Sequence, residues 1–347
     1  MAKPLVTIVV PAYNAAQFLR EALDSILKQT YDNTEIILLD DASTDETPDI
    51  AAEYSGAITS IRQPNNIGIY DNVNVGIVRA RGDLIATYHA DDIYLPTIVQ
   101  RQVSYLNAHP EVGAVFCSDI FIDAEGIEYA RLTLPPEVRG EKPLDYQTVF
   151  NAMLTYKNRF LRSPSMMVRA SVHHDVGLYD QAKYRNTSDL EMWLRIARRY
   201  PIAILESHLM KYRHFHGSSS QRYQRLRTKP ENFFNILDEY LAAGDRALAT
   251  PQSLVNYEAH RSEDRLMNAI SCYIKGQMSE GQRAMRDVQI SSILRATQVQ
   301  KWRLLVLAIG MWLLLRMPRV ETIANLMHER WHIKRRPQRT SSHALGN

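Results

Sequence analysis

The chain has 347 residues, enough for one large domain with an appendage or for two domains. Its 45% hydrophobic and 23% charged residues make an ordinary globular balance, and a net charge of +3 is too small to argue for nucleic-acid binding. The two cysteines, Cys117 and Cys272, are far apart, which excludes a disulfide framework or a cysteine metal cluster and makes a reducing, cytoplasmic compartment the expectation. Met1-Ala2-Lys3-Pro4 leads directly into a strand pattern rather than a signal peptide.

Leu5 to Val10 is a continuous run rich in β-branched residues that ends at Pro11. A strand apolar on both faces belongs between helices, in a parallel sheet. Ala15 to Gln29 carries Phe18, Leu19, Ala22, Leu23, Ile26 and Leu27 on one stripe, which predicts a helix. Glu35 to Leu39 predicts a second strand, ending in Asp40-Asp41-Ala42-Ser43-Thr44-Asp45, where Thr44 or Asp45 can cap a helix reaching about Tyr54. A third strand is expected at Ala57 to Arg62, a turn at Asn65-Asn66-Ile67-Gly68, and a helix to about Arg79. Leu84 to Tyr88 is a fourth strand, Leu95 to Asn107 a helix, and Val112 to Asp123 a fifth strand with a hairpin through Glu125-Gly126. Leu144 to Met153 reads as a helix and Ser163 to Arg169 as a short strand. His173-His174-Asp175 looks like a metal cluster, but adjacent side chains point apart on either a helix or a strand.

This alternation predicts an α/β fold whose ligands bind at the carboxyl ends of the strands. Pro11-Ala12-Tyr13-Asn14, Asp40-Asp41, Asn66 and His89-Ala90-Asp91 all fall on that edge. No G-x-G-x-x-G follows the first strand and no phosphate-loop motif occurs, which argues against a dinucleotide enzyme and a phosphate-loop ATPase. Tyr88-His89-Ala90-Asp91-Asp92 admits two readings. Two carboxylates closing an apolar run can seat a divalent cation, or one of them can cap a helix starting near Pro96. Asp189 and Glu191, in the first turn of a helix starting near Ser188, either complement its dipole or supply a general base.

Five motifs resemble those of the family 2 glycosyltransferases, which bind nucleotide-sugars on the GT-A fold. They are Thr7 to Asn14, Glu35 to Asp45, Asn65 to Gly68 with Asn74 and Gly76, His89 to Asp92, and Asp189 to Arg195. The likeness covers roughly residues 4 to 220, and its specificity lies in the order and spacing of motifs that are individually weak. It implies a Rossmann-like, mostly parallel sheet flanked by helices, with an α-helical C-terminal region. It implies that Pro11, Ala12 and Tyr13 line a base pocket, that Asp41 accepts a hydrogen bond from the base, favouring uracil, and that Asn66 contacts the nucleotide. Asp91 matches the last acidic position of the D-x-D element and would ligate manganese or magnesium on the diphosphate. Asp189 matches the catalytic base of inverting members, with Glu191 as the alternative. His89 stands where the family has the first Asp; it can ligate a metal or bond the ribose, which leaves metal dependence open. Val73 replaces an arginine common in the family, and Arg62 is one candidate to supply that charge. Tyr212 to Ser220 resembles the segment that closes the catalytic domain in many relatives, with His214 and His216 as alternatives for facing the diphosphate; a solvated linker is the plainer reading. The implied activity is inverting transfer from a nucleotide-sugar, a UDP-sugar first, to a glycan or lipid-linked acceptor in cell-surface polysaccharide or glycoconjugate synthesis. A catalytically inactive nucleotide-sugar-binding module is the alternative, favoured by His89 alone.

Beyond about Lys229 strand signals vanish. Helices are expected at Asn232 to Ala243, Pro251 to Ile274 and Glu280 to Leu294. The expected division is therefore a catalytic domain over residues 1–225, a helical extension over 226–300, and an apolar helix with a basic tail over 301–347. Leu304 to Leu315 is too short to span a membrane. With Arg330, Lys334, Arg335, Arg336 and Arg339 following, it suits either peripheral attachment to an anionic inner leaflet or a core helix with a solvated tail. His328-Glu329-Arg330-Trp331-His332 matches the zinc-protease pattern H-E-x-x-H. It has no evident third ligand and no surrounding cleft, so a metalloprotease is disfavoured.

Overall fold

The computed structural model describes residues 3–215 and 226–316, in two compact units. His216, the His328/His332 pair and the basic tail from Arg330 lie outside the described residues.

The first unit contains the described residues up to Val149 together with Asn158–His214. It is built on one nine-stranded sheet in which eight strands follow the order β3-β2-β1-β4-β8-β6-β9-β5 and the ninth, β7, pairs with β6 off that path. The strands are β1 (Val6–Ala12), β2 (Thr34–Asp40), β3 (Thr59–Arg62), β4 (Leu84–Thr87), β5 (Ile93–Tyr94), β6 (Ala114–Ile122), β7 (Glu128–Arg131), β8 (Met167–Arg169) and β9 (Ile202–Arg213). β1 pairs in parallel with β2 and with β4, and every residue of β1 is buried, as its unbroken apolar run requires. β6 runs parallel to β9, while β8 and β7 pair antiparallel along the other edge of β6. The sheet is thus mixed but mostly parallel.

The helices of this unit are α1 (Leu19–Leu27), α2 (Thr47–Glu53), α3 (Ile69–Arg79), α4 (Ile98–Ala108), α5 (Tyr146–Tyr156, whose end joins the second unit), α6 (Ala170–Val176), α7 (Gln181–Tyr184) and α8 (Ser188–Ala197). α1 begins four residues later than its apolar stripe suggests; a turn over residues 15–18 precedes it, in which Ala15 and Ala16 donate their N–H groups to Thr47 and Asp45 and the Ala15 carbonyl accepts from Phe18 N and Leu19 N. α4 begins at Ile98 with Thr97 at its cap position, so neither Asp91 nor Asp92 caps it. Gly76 lets α3 lie directly on the sheet, since a Cβ there would fall 2.5 Å from Val9 and 2.8 Å from Leu39.

The second unit comprises Phe150–Lys157 and the described residues after His214. It is helical: α9 (Asn232–Ala242), α10 (Pro251–Ile274), α11 (Met278–Arg286), α12 (Ile290–Arg295) and α13 (Lys301–Leu314). Thr250 caps α10 by accepting from Ser253 N at 3.1 Å, with Pro251 in the first turn. The single helix expected over Glu280 to Leu294 is two, broken at Asp287-Val288-Gln289. α13 buries Leu304, Leu307, Ala308, Met311 and Leu314 against Leu266, Ala269, Ile270 and Tyr273 of α10. None of the described helices is long and apolar enough to cross a membrane.

Candidate active site

The carboxyl ends of β1 and β2 form the first part of the site. Pro11 and Ala12 are buried, and Tyr13, just beyond them, is 50% exposed. Asn14 (φ 49) and Ala42 (φ 58) both adopt the left-handed region, which a non-glycine residue holds only when its surroundings fix it. The fixing bonds are visible. Asn14 donates from its backbone to Ser43 Oγ at 2.9 Å and accepts on Oδ1 from Thr44 N at 2.8 Å. Asp40, fully buried, accepts from Ser43 N at 2.9 Å. Arg62 reaches Asp40 at 3.4 Å and donates to the Ser43 carbonyl at 2.9 Å. Arg62 therefore braces this loop while its side chain stays half-exposed.

Asp41 is buried, and its two carboxylate oxygens accept from Ile67 N at 2.7 Å and Gly68 N at 2.9 Å. Asn66 donates to the Asp41 carbonyl at 3.3 Å. The two residues expected to read the nucleotide are thus joined, and Asp41 also holds the turn before α3. Gly68 is required there: its φ is +89, and a Cβ would lie 2.4 Å from the Gln181 side chain. Gln181 supplies the cap that α3 lacks, accepting from Tyr70 N at 2.9 Å and donating to the Ile67 carbonyl at 2.6 Å. Asn74 exchanges two hydrogen bonds with the Tyr179 backbone, at 2.9 and 3.0 Å.

The second part is the turn between β4 and β5. His89, Asp91 and Asp92 bring one ligand atom each to within 4.8 Å of one another, the one such trio among the described residues. Tyr88 and Tyr94 stack beneath it with ring centroids 3.9 Å apart, and His89 N donates to the Tyr94 hydroxyl at 2.5 Å. Arg213, at the end of β9, grips the turn. Its backbone N donates to Asp92 Oδ1 at 2.8 Å and its Nε to the Asp91 carbonyl at 2.9 Å. Its remaining guanidinium nitrogens bond the Asp123 and Ala124 carbonyls and Glu21, and the group lies 4.4 Å from the centre of the Phe18 ring. Burial, then the neighbouring Asp91, hold the Asp92 carboxyl well above the usual range; Asp119 adds to this and Arg213 opposes it. Asp92 Oδ2 is buried without a hydrogen-bond partner. Burial holds the His89 imidazole below its ordinary value against the pull of Asp91, so its lone pair is available near neutral pH. Two carboxylates, one with an orphaned oxygen, beside a neutral imidazole fit a divalent cation.

The third part is the start of α8. Its Trp193 is buried edge-on to Phe116 of β6, with ring centroids 5.8 Å apart, and this anchors the helix on the sheet. Burial pushes the Asp189 carboxyl up to about 6, although hydrogen bonds from Leu190 N and the Tyr70 hydroxyl pull it down. Both oxygens of Glu191 are taken by Arg195, at 3.1 and 2.8 Å, and Arg195 goes on to the Val176 and Leu178 carbonyls. Glu191 is thereby committed to an ion pair that ties α8 to the preceding loop. His214 donates from its backbone to the Ile122 carbonyl at 2.9 Å, and its ring bonds the Tyr129 hydroxyl between Phe121 and Tyr212.

Sequence reasoning missed Arg213 as part of the acidic turn, Gln181 as the cap of α3, and Tyr70 as the partner of Asp189. Only Arg213 carried a signal, through the Tyr212-Arg213 pair beside His214.

A family model described as glycosyl transferase family 2 matches residues 7–177. An uncharacterized glycosyltransferase of Haemophilus influenzae is 31% identical over 62% of this chain and 67% of its own length. One from Rickettsia felis is 31% identical over 63% of this chain, which spans only 35% of that relative. Among solved structures, S. aureus TarS 1–349 with UDP-GlcNAc superposes with a TM-score of 0.59 at 15% identity, over 95% of this chain and 92% of that one. The mannosyltransferase PcManGT of Pyrobaculum calidifontis, with GDP-Man and Mn2+, gives 0.51 at 18% identity, over 95% and 85%. At these identities the structural likeness concerns the fold, which is that of the GT-A enzymes.

Proposed function

The chain belongs to glycosyl transferase family 2, and from that premise we propose that it moves a sugar, with inversion, from a nucleotide-sugar to a hydroxyl of a glycan or lipid-linked acceptor. The observation that carries this reading is the His89, Asp91 and Asp92 trio at the carboxyl edge of the sheet. Asp91, Asp92 and His89 would hold a divalent cation, which supplies positive charge to stabilise a departing nucleoside diphosphate. Tyr13, Asp41 and Asn66 are the proposed contacts for the nucleotide, with a UDP-sugar the first donor to test and a GDP-sugar the second. Asp189 takes the proton of the acceptor hydroxyl as that oxygen attacks the anomeric carbon and the bond to the diphosphate breaks. One displacement inverts the anomeric configuration.

A base must be ionised to act, so kcat/KM should rise with pH through about 6 and level off above it, following the Asp189 carboxyl. Tyr70→Phe removes a hydrogen bond that stabilises the ionised form. The rising limb should then move to higher pH by less than about one unit, with little change at pH 8. A pH–rate profile of both proteins checks this; an unmoved limb would detach the profile from Asp189.

The overall test is incubation with a panel of nucleotide-sugars and candidate glycan acceptors, reading nucleotide release and the anomeric configuration by NMR. Inverted product supports the reading and retained configuration contradicts it. His89 favours a second reading, an inactive nucleotide-sugar-binding module, which predicts binding without turnover. The location proposed is peripheral, at the cytosolic face of a membrane.

A further inference from the structure

α13 is apolar on both faces, yet only one face is covered. Leu304, Leu307, Ala308, Met311 and Leu314 pack into the core of the helical unit. Trp302 (81% exposed), Val306 (69%) and Ile309 (62%) face outward, continued by Trp312 and Leu313. The positions 302, 306, 309 and 313 recur at three and four residues, so they form one stripe along the helix. A stripe of large apolar side chains open to water marks a surface that something else covers.

Charge says what covers it. Lys301, Arg303 and Arg316 flank the stripe, and residues 301–316 contain no acidic residue. Arg316 stacks on Trp312, 3.7 Å from the ring centre, which pairs a cation with an aromatic ring at the edge of the apolar face. Over residues 301–347 there are nine Lys or Arg against two Glu, while the whole chain is only +3. The other 300 residues are therefore net acidic, and the basic charge is concentrated on the segment that carries the stripe. An acidic protein surface elsewhere on a second copy could meet these charges but offers no apolar layer for two tryptophans. An anionic bilayer offers both, negative headgroups for the cations and an acyl boundary for Trp302, Val306, Ile309 and Trp312. A helix of 14 residues is about 21 Å long, too short to cross the hydrocarbon core but well suited to lie in the interface.

We propose that the outward face of α13 docks flat on an anionic lipid surface, with the stripe inserted at the headgroup–acyl boundary. This deepens the peripheral location proposed above and is independent of the donor chemistry. The test uses the full chain in flotation with vesicles of phosphatidylcholine alone and with phosphatidylserine added. Wild type should float with the serine-containing vesicles, show a blue-shifted tryptophan emission, and release in part at high salt. The triple variant Trp302→Ser, Val306→Ser, Ile309→Ser changes only exposed side chains. It should lose roughly tenfold or more of the vesicle binding while keeping its melting temperature and its stabilisation by nucleotide. Equal binding of wild type and variant, or no binding to either vesicle, overturns the proposal. So does lipid-free sedimentation in which wild type is a dimer and the variant a monomer, because the face would then belong to a second copy. Loss of nucleotide response in both proteins, with vesicle binding intact, would count against the donor site alone.

Discussion

Asp189→Asn is expected to lower kcat by about 10²–10⁴-fold, the usual contribution of a general base, with donor affinity essentially unchanged. Asn keeps the shape and can still accept from Tyr70 and Leu190 N, but it cannot take up a proton. The same substitution should make the protein more stable at high pH. The folded carboxyl sits at about 6 against an ordinary 3.8, because burial disfavours the charge. A group raised in this way favours the folded state fully below about pH 4 and loses that contribution as pH rises through 6. At pH 8 the wild type carries the cost of the ionised carboxylate and the Asn variant does not. The gain should be on the order of 1–3 kcal/mol at pH 8 and fall away toward pH 4. Thermal melts at the two pH values, set beside kcat, read both effects. An active variant with no gain at pH 8 would remove Asp189 from the base role.

Arg213→Ala should destabilise the fold by about 3–5 kcal/mol. The side chain is 2% exposed, and its loss takes away the donor to the Asp91 and Ala124 carbonyls and one of two donors to that of Asp123, which keeps Gly126 N. Arg213 also fastens the end of β9 to the acidic turn, so donor affinity should suffer beyond what stability explains. Lys can replace the charge but not the fork of donors, and Arg213→Lys should recover only part of the loss. Denaturant unfolding of the three proteins gives the stability term. A loss below about 1 kcal/mol for Arg213→Ala would mean that the turn holds itself.

The first half of the fold was legible because each buried strand is a continuous apolar run and each helix has one apolar stripe. Val6–Ala12, Thr34–Asp40 and Leu84–Thr87 all follow from that rule. β9 was not legible. Its register against β6 shifts between Cys117 and Ser118 and again between Ser118 and Asp119. These bulges reset the alternation, so Glu206-Ser207-His208 reads as loop. Missing β9 meant missing β5, which is two residues long and exists only by pairing with it. It also hid Arg213, whose role depends on β9 delivering it to a turn more than a hundred residues earlier in the chain. His89 and Asp91 were visible as chemistry at a strand end. Tyr70 and Gln181 were not, since their partners lie more than a hundred residues away and neither type signals a site on its own.

The most direct test of the donor site is thermal stability against UDP, GDP, dTDP and CMP, each with and without Mn2+, in wild type and Asp91→Ala. A ligand that binds only the folded state adds about 2.7 kcal/mol at a hundredfold excess over its Kd. The site described here predicts stabilisation of the wild type by a nucleoside diphosphate, UDP first, that requires Mn2+ and vanishes in Asp91→Ala. No stabilisation by any of the four nucleotides, or an equal response in Asp91→Ala, would contradict it.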